Sequence, residues 1–191
     1  MTNIAIFASG SGTNAEKIFQ HFQNHKSIRV SCLLSNKQDA FALERAKKWN
    51  IPTYTFNQTD LCQDGRIAEI LEKEQIDWIV LAGFLWLLPA WLIEKYPKKI
   101  INIHPALLPK YGGKGMYGMK VHQTVWNNKE PFTGITIHYA NAVYDEGEVI
   151  FQEKVAITPE DTPETIAKKV HQLEYQYFPA VIEDTIKRAK K

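Results

Sequence analysis

The first hundred residues alternate short apolar segments with longer segments whose apolar residues recur at helical spacing. The apolar segments predict five strands: Ile4–Ala8, Arg29–Leu34, Thr53–Phe56, Trp78–Ala82 and Ile100–Ile103. The segments between them predict four helices: Asn14–Phe22, Ala40–Trp49, Asp60–Glu74 and Ala90–Lys95. Asp60 is the candidate N-cap of the third helix. Strands and helices that alternate in this way form βαβ units, which predict a mostly parallel sheet.

After residue 130 the pattern changes. Phe132–Ala140 and Val149–Ile157 alternate apolar and polar residues and are joined by a short polar link, which predicts an antiparallel pair. Amphipathic spacing from Pro163 to Arg188 predicts one long final helix. We therefore expect a single α/β domain over residues 1–191: a Rossmann-like, mostly parallel sheet with an antiparallel C-terminal hairpin and a long C-terminal helix.

Composition narrows the functional classes. The chain is 45% hydrophobic and 23% charged with a net charge of +2, and its basic residues are interspersed with acidic ones. This distribution gives no support to binding of nucleic acid or of a membrane surface. Cys32 and Cys62 are isolated from each other, and no leader pattern follows Met1. A reducing, cytoplasmic location is therefore expected.

A glycine-rich loop, Ser9–Asn14, separates the first predicted strand from the first predicted helix. Backbone N–H groups at such a helix start favour a bound anion, although a tight turn alone would also need glycine. A dinucleotide site would require an acidic residue about 20 positions further on. Residues 34–37 read LSNK and supply none. A single phosphate monoester therefore fits better than a nicotinamide cofactor.

Asn102 and His104 stand two residues apart near the end of the fifth predicted strand, so both side chains share one face. An amide and an imidazole that project together can polarise a carbonyl group and stabilise an oxyanion. Asp145 lies in a polar turn between the late strands, and a carboxylate beside an imidazole favours its protonated form. A structural histidine and a turn-forming aspartate are the alternative interpretations.

Three segments around these residues closely resemble the signature of the folate-dependent formyltransferases. They are Asn102–Tyr111 (NIHPALLPKY), Gly134–Tyr139 (GITIHY) and Asp145–Ile150 (DEGEVI). Asparagine, histidine and, about forty residues later, aspartate also follow the order of that family's catalytic trio. The resemblance runs from Ile4 to about Pro179. It implies the formyltransferase fold, with Asn102, His104 and Asp145 as catalytic residues.

The resemblance also implies the reaction. The formyl group of 10-formyltetrahydrofolate would pass directly to an amine, with no covalent enzyme intermediate and no metal ion. Three features favour glycinamide ribonucleotide as the acceptor: the Ser9–Asn14 loop, the segment 35–46, and a length that leaves no room for a tRNA-reading or regulatory domain. The alternative acceptor is another amine, such as an amino sugar nucleotide.

By the same resemblance, two sets of residues bind the substrates. The ribonucleotide set is Gly12, Thr13, Asn14 and Glu174. The folate set is Arg66, Leu85, Trp86, Leu87, Leu88, Asn102, Asn141, Ala142, Val143, Tyr144 and Asp145. The expected partners are these small molecules only, with the protein a monomer or a weak homodimer.

Two positions depart from the family pattern. Trp86 stands where family members usually carry an arginine, which leaves the folate contact at this position open. The connection Tyr111–Met119, which precedes His122, is longer and richer in glycine than usual. Its glycines would allow a mobile lid, and Lys114 could reach an anion, but a plain surface loop is the alternative.

Two other functional classes fit the sequence less well. A non-catalytic protein that binds nucleotide phosphates would need only the Ser9–Asn14 loop, and the presence of Asn102, His104 and Asp145 argues against it. A Rossmann oxidoreductase is disfavoured because the acidic residue for the ribose is missing.

Overall fold

The computed structural model describes residues 1–63 and 65–190. The chain divides into two compact units: the first unit is Met1–Asn102, and the second unit begins at Ile103. Among the described residues, no helix combines the length and apolar character needed to cross a membrane. One domain over residues 1–191 stays a prediction.

The first unit contains a parallel sheet whose strands follow the order β3-β2-β1-β4-β5. The strands are β1 (Thr2–Phe7), β2 (Ile28–Ser35), β3 (Thr53–Thr55), β4 (Trp78–Leu81) and β5 (Ile100–His104), the last of which ends in the second unit. Every residue of β1 and of β4 is buried, because the flanking helices cover both faces of the sheet. This order is the Rossmann type, so the strand order reverses beside β1.

Five helices accompany these strands. They are α1 (Thr13–Phe22), α2 (Phe41–Lys48), α3 (Gln58–Cys62), α4 (Arg66–Lys73) and α5 (Ala90–Lys95). The single helix predicted over Asp60–Glu74 is wrong, because Gln63 adopts an extended conformation (ψ 137°) that ends α3. Asp64, within the predicted range, lies outside the described residues. Asp60 is also not the N-cap: Asn57 caps α3, and Asp60 is the third residue of a reciprocal capping box.

The second unit is built on an antiparallel pair and two helices. They are α6 (Met119–Asn127), β6 (Phe132–Tyr139), β7 (Val149–Ala156) and α7 (Pro163–Arg188). Thr136 lies opposite Gln152 in the pair, and the register shifts between Ile137 and His138. A capping box and Pro163 in the first turn set the start of α7. The α/β class, the parallel strands, the antiparallel pair and the long final helix are thus confirmed.

Candidate active site

The loop between β1 and α1 carries the residues predicted to bind phosphate. Gly12 is the N-cap of α1 with a φ of 72°, and a Cβ at this position would lie 2.6 Å from the Ala42 Cα. Thr13 and Asn14 follow, half-buried, in the first helical turn. The N–H groups of this turn have no acceptor within the helix, and the helix dipole favours negative charge there. A phosphate group suits this position.

Ser9 fixes the start of the loop at the point where the strand order reverses. Its hydroxyl donates to Asn36 Oδ1 at 2.7 Å and accepts from the Leu85 N–H at 3.1 Å. Its own N–H donates to the Gly83 carbonyl at 3.1 Å. The loops that follow β1, β2 and β4 are therefore tied together. Open α/β sheets bind their ligands at this reversal point.

Arg45 supports the same loop from α2. Its Nε donates to the Ser11 carbonyl at 2.9 Å, and its guanidinium forms an ion pair with Glu16 of α1. The guanidinium also lies 5.0 Å from the centroid of the Phe41 ring. One side chain therefore links the loop, α1 and α2.

Aromatic side chains gather at the segment after β4, where the folate residues Leu85–Leu88 were predicted. Trp86 is half-buried, with its ring centroid 6.1 Å from that of Phe56 and 6.5 Å from that of Phe84. Leu85 is half-buried and Leu87 is exposed, so both can meet a ligand, whereas Leu88 lies in the core. A flat aromatic ligand suits such a surface.

Arg66, also predicted to bind folate, is the first residue of α4. Its side chain is 57% exposed and forms an ion pair with Asp60 at 3.3 Å. Neither this exposure nor this ion pair tests the predicted role of Arg66 in folate binding, which stays a prediction.

His104 and Asp145 are brought together in the second unit. His104 Nδ1 lies 3.4 Å from Asp145 Oδ2, and both side chains are less than a tenth exposed. Asp145 adopts a positive φ of 57°, an uncommon conformation for a residue with a side chain. The predicted imidazole–carboxylate pair is therefore present, and it is nearly shielded from solvent.

The glycine-rich connection after β5 holds both members of this pair through its backbone. The Tyr111 carbonyl lies 2.8 Å from His104 Nε2, and the Gly113 N–H donates to Asp145 Oδ2 at 2.9 Å. A Cβ on Gly112 would lie 3.1 Å from the Asp145 Cβ. The start of this connection is thus part of the active-site structure, which sequence reasoning described only as a lid or a surface loop.

His138 of β6 is a further neighbour that sequence reasoning did not assign. Its Nε2 lies 3.7 Å from Asp145 Oδ1, and its Nδ1 lies 2.9 Å from the Tyr139 carbonyl. Asp145 therefore stands between two imidazole rings. The alternation of Thr136 and His138 along β6 was the available signal, since it places both on one face of the strand.

The charges of the buried pair follow from these contacts. Burial lowers the pKa of His104 below its ordinary value, although Asp145 and the Tyr111 carbonyl raise it in part. Burial alone would raise the pKa of Asp145, but His138, His104 and the Gly113 N–H together hold it below its usual range. The free protein therefore has an ionised Asp145 beside an imidazole that resists protonation.

Asn102 lies on β5 two residues before His104 and is half-buried. Strand geometry directs these two side chains to the same face. Asn141–Asp145 form the turn that follows β6, with the Asn141 side chain accepting from the Val143 N–H at 2.9 Å. Ala142 and Val143 are exposed, and Tyr144 is half-buried.

Thr136 is a second residue that sequence reasoning left without a role. Its hydroxyl donates to the Ala106 carbonyl at 2.7 Å and accepts from the Leu108 N–H at 3.0 Å. Gln152 Nε2 reaches the same hydroxyl at 2.8 Å. These bonds fix the segment that follows His104.

Glu174, predicted to bind the ribonucleotide, lies on α7 and is 4% exposed. Its Oε2 lies 2.9 Å from His171 Nδ1 on the same helix. A buried carboxylate in a helix is uncommon unless it is paired, and His171 supplies such a pairing. Binding of the ribonucleotide by Glu174 stays a prediction.

No group of three His, Cys, Asp or Glu side chains that could hold a metal ion occurs among residues 1–63 and 65–190. His21 and His25 are four residues apart in sequence, and both rings pack against Phe22, with centroids 4.7 and 5.4 Å away.

Comparisons with known proteins agree with this geometry. The formyl transferase family model matches residues 2–182. The chain is 36% identical to a phosphoribosylglycinamide formyltransferase of Haemophilus influenzae over 95% of this chain and 86% of that protein. A chloroplastic enzyme of the same name from Arabidopsis thaliana is 38% identical over 96% of this chain, which spans 66% of the plant protein.

Solved structures of proteins with the same name also match the fold of this chain. The crystal structure of phosphoribosylglycinamide formyltransferase from Bacillus halodurans superimposes with a TM-score of 0.88 at 34% identity, covering 98% of this chain and 97% of that one. The corresponding structure from Anaplasma phagocytophilum gives a TM-score of 0.86 at 30% identity, covering 95% and 84%. The matched family model, the identities and the paired His104 and Asp145 lead to one conclusion: the chain belongs to the formyl transferase family.

Proposed function

We propose that the protein transfers the formyl group of 10-formyltetrahydrofolate to the amine of glycinamide ribonucleotide. The observation that carries this proposal is the shielded His104–Asp145 pair at the end of β5, with Asn102 two residues earlier on the same strand. The names of the relatives support the choice of acceptor.

The chemistry is direct acyl transfer. The neutral amine attacks the formyl carbon, so that a new C–N bond forms and the carbonyl electron pair moves to oxygen. Collapse of this tetrahedral intermediate restores the carbonyl group and breaks the bond to N10 of the folate, which keeps the electron pair. One proton leaves the amine and one reaches N10. The products are the formylated ribonucleotide and tetrahydrofolate.

Asn102 and His104 stabilise the negative charge on the formyl oxygen. The Asn102 amide supplies an N–H donor, and the His104 ring already faces an acceptor at each nitrogen. Burial favours the neutral ring before the reaction, and the proton that the amine loses moves to the ring as negative charge develops on the formyl oxygen. Asp145, ionised beside the ring, stabilises the protonated ring until the same proton passes to N10 of the folate.

We assign each substrate to the residues whose surface chemistry suits it. The phosphate is bound by the N–H groups of Gly12, Thr13 and Asn14, and Glu174 contacts the rest of the ribonucleotide. The folate ring packs on Leu85–Leu87, whose apolar and aromatic surface fits it, with contributions from Asn141–Asp145 and from Arg66. Trp86 supplies aromatic surface in place of the usual arginine.

We also propose a cytoplasmic location and a monomeric or weakly dimeric state. Both cysteines are free, with Cys32 buried and Cys62 exposed, which suits a reducing compartment.

The test follows the absorbance of the folate product from 10-formyl-dideazafolate, with and without glycinamide ribonucleotide. We expect turnover only with the ribonucleotide, and a loss of about 10²- to 10³-fold in kcat for Asn102→Ala, His104→Ala and Asp145→Ala. His21→Ala and Asp184→Ala, which change exposed side chains, are the matched controls. Turnover without an acceptor, or only with an amino sugar nucleotide, would contradict the proposal.

A further inference from the structure

Glu174 is a carboxylate in an unusual position, since it lies within a helix and is 4% exposed. An ionised carboxylate in such a place needs a partner that supplies charge or hydrogen bonds. His171, one helical turn earlier, supplies one: its Nδ1 lies 2.9 Å from Glu174 Oε2. The pair therefore joins a buried carboxylate to a ring that is about half exposed to solvent.

The titratable groups that face His171 come from two helices. On α7 these are Glu174 and Tyr175, whose ring stacks parallel to the His171 ring at 6.0 Å and 8°. On α6 it is His122, whose ring centroid lies 6.4 Å from that of His171. The strands β6 and β7 also pack on α7, and Glu174 raises the pKa of His104, which lies at the end of β5. Stacking and pairing together fix the orientation of the His171 ring.

The His122 and His171 rings differ in burial, and this difference determines which of the two rings carries the positive charge. His122 is buried, and its Nδ1 has no hydrogen-bond partner among the described residues. Burial, reinforced by His171, lowers the pKa of His122 to about 4, so that ring is neutral near pH 7. The hydrogen bond with Glu174 instead raises the pKa of His171. His171 is therefore the member that carries the proton opposite Glu174.

We propose that His171 is a positioning residue that holds the Glu174 carboxylate in the orientation that binds the ribonucleotide. The inference rests on the proposed function, in which Glu174 contacts this substrate. His171 occupies Oε2 from the solvent side and so restricts the rotation of the carboxylate. Because its charge changes when it titrates, His171 also makes ribonucleotide binding depend on pH.

The direction of that dependence follows from the ion pair. The folded-state pKa of His171 is raised, so the pair is complete at lower pH and is lost as pH rises through that pKa. Above it, the neutral His171 ring no longer offers a positive charge to the Glu174 carboxylate. The KM for the ribonucleotide should therefore rise on the alkaline side, while the KM for the folate should not.

The experiment compares wild type with His171→Ala and His171→Gln, measuring KM for each substrate from about pH 6 to about pH 9. His171→Ala should raise KM for the ribonucleotide by about tenfold at the acidic end, the size expected for a lost charged hydrogen bond, and should remove the alkaline rise. His171→Gln, which keeps a donor without titrating, should recover part of the affinity but no pH step. His21→Ala, an exposed histidine of α1, is the matched control.

A second measurement tests the pair without substrate. Titration of the His171 ring by NMR should show a lower pKa in Glu174→Gln than in wild type. The inference is overturned if His171→Ala keeps the wild-type KM and its pH profile, or if Glu174→Gln leaves the titration unchanged. A wild-type protein that does not use the ribonucleotide at all would reject the proposed function, and this role of His171 with it, whatever the titration shows.

Discussion

The two units of the chain bury different kinds of polar groups. Among the described residues, the buried polar side chains of the first unit are uncharged hydroxyls and one amide: Thr2, Asn3, Ser9, Ser31 and Ser35. The second unit buries hydroxyls too, but also all the buried histidine and carboxylate side chains: His104, His122, His138, Asp161 and Glu174. Among the described residues, buried histidine and carboxylate side chains are therefore confined to the second unit.

This difference separates two ways of building a site. Close packing at Gly12 and hydrogen bonds of uncharged groups at Ser9 position the glycine loop of the first unit, and Arg45 adds a hydrogen bond to the Ser11 carbonyl. The His104–Asp145 pair of the second unit, which we propose to be catalytic, is positioned by ionisable partners such as His138. We expect the first arrangement to be sensitive to volume and the second to be sensitive to charge and pH.

The largest effect, a loss in the free energy of unfolding, is expected for Gly12→Ala in the first unit. The added Cβ would lie 2.6 Å from the Ala42 backbone, and the φ of 72° is itself unfavourable for alanine. Overpacking and left-handed strain together should lower the free energy of unfolding by about 3 kcal/mol. Urea denaturation measures this change, and the loss should be the same at pH 6 and pH 8.

Gly10→Ala is the matched control, because a Cβ there meets no atom within 4 Å. Its unfolding free energy should stay within about 0.5 kcal/mol of wild type. Equal losses in the two variants would contradict the packing explanation for the first unit.

A smaller, charge-dependent effect is expected for Asp161→Asn in the second unit. Asp161 accepts from the Thr158 N–H at 2.8 Å and from the Thr165 hydroxyl at 2.8 Å, and it pairs with Lys169. The substitution keeps the size and one acceptor but removes the charge. It should lower the free energy of unfolding by about 1–2 kcal/mol near pH 7.

The pH dependence has a defined sign. Lys169 and the other donors hold the pKa of Asp161 well below its usual range. Its contribution is therefore present above the unfolded-state pKa of about 3.9 and is lost as pH falls through the folded value. The difference between wild type and Asp161→Asn should shrink in acid. Glu44→Gln, in an exposed pair with Lys47 on α2, should change stability by less than about 0.5 kcal/mol.

The smallest of these effects is a change in kcat, expected for a substitution in the glycine-rich connection Tyr111–Met119 of the second unit. Gly113 and Gly115 both have positive φ, 93° and 84°, but only Gly113 donates its N–H to Asp145. Gly113→Ala should disturb that bond and lower kcat by about tenfold, as for the loss of one charged hydrogen bond. Steady-state turnover of the formyl donor measures it.

Gly115→Ala introduces similar backbone strain away from Asp145, so it should leave kcat within about twofold of wild type. A comparable loss in both variants would show that general strain, and not the bond to Asp145, limits catalysis.

The strands were predictable because a strand that is buried along its length appears in the sequence as a run of apolar residues. The predicted Trp78–Ala82 differs by one residue from β4, and the predicted Phe132–Ala140 differs by one from β6. The helix over Asp60–Glu74 was not predictable as two helices, because both halves keep helical spacing of apolar residues. The break depends on Gln63 and on the capping box between Asn57 and Asp60, which are local conformations without a periodic signal.

The residues of the candidate site also fall into those that the sequence could identify and those that it could not. Asn102, His104 and Asp145 could be named from residue types and spacing, together with the family resemblance. His138 and the Tyr111–Gly113 backbone could not be given roles, since the first is brought to Asp145 by strand pairing and the second acts through main-chain atoms. A backbone N–H or carbonyl has the same chemistry in every residue, so sequence does not show which one faces a side chain.

The sequence by itself determined the α/β class, the glycine loop after β1 and the candidates for the reacting side chains, because periodicity and residue chemistry are local properties. Only the tertiary structure decided which of these groups are charged. Burial opposes the protonation of His104 and His122, while direct partners hold Asp145 and Asp161 ionised. Desolvation and pairing depend on neighbours distant in sequence, so the electrostatics of this protein are a product of its fold.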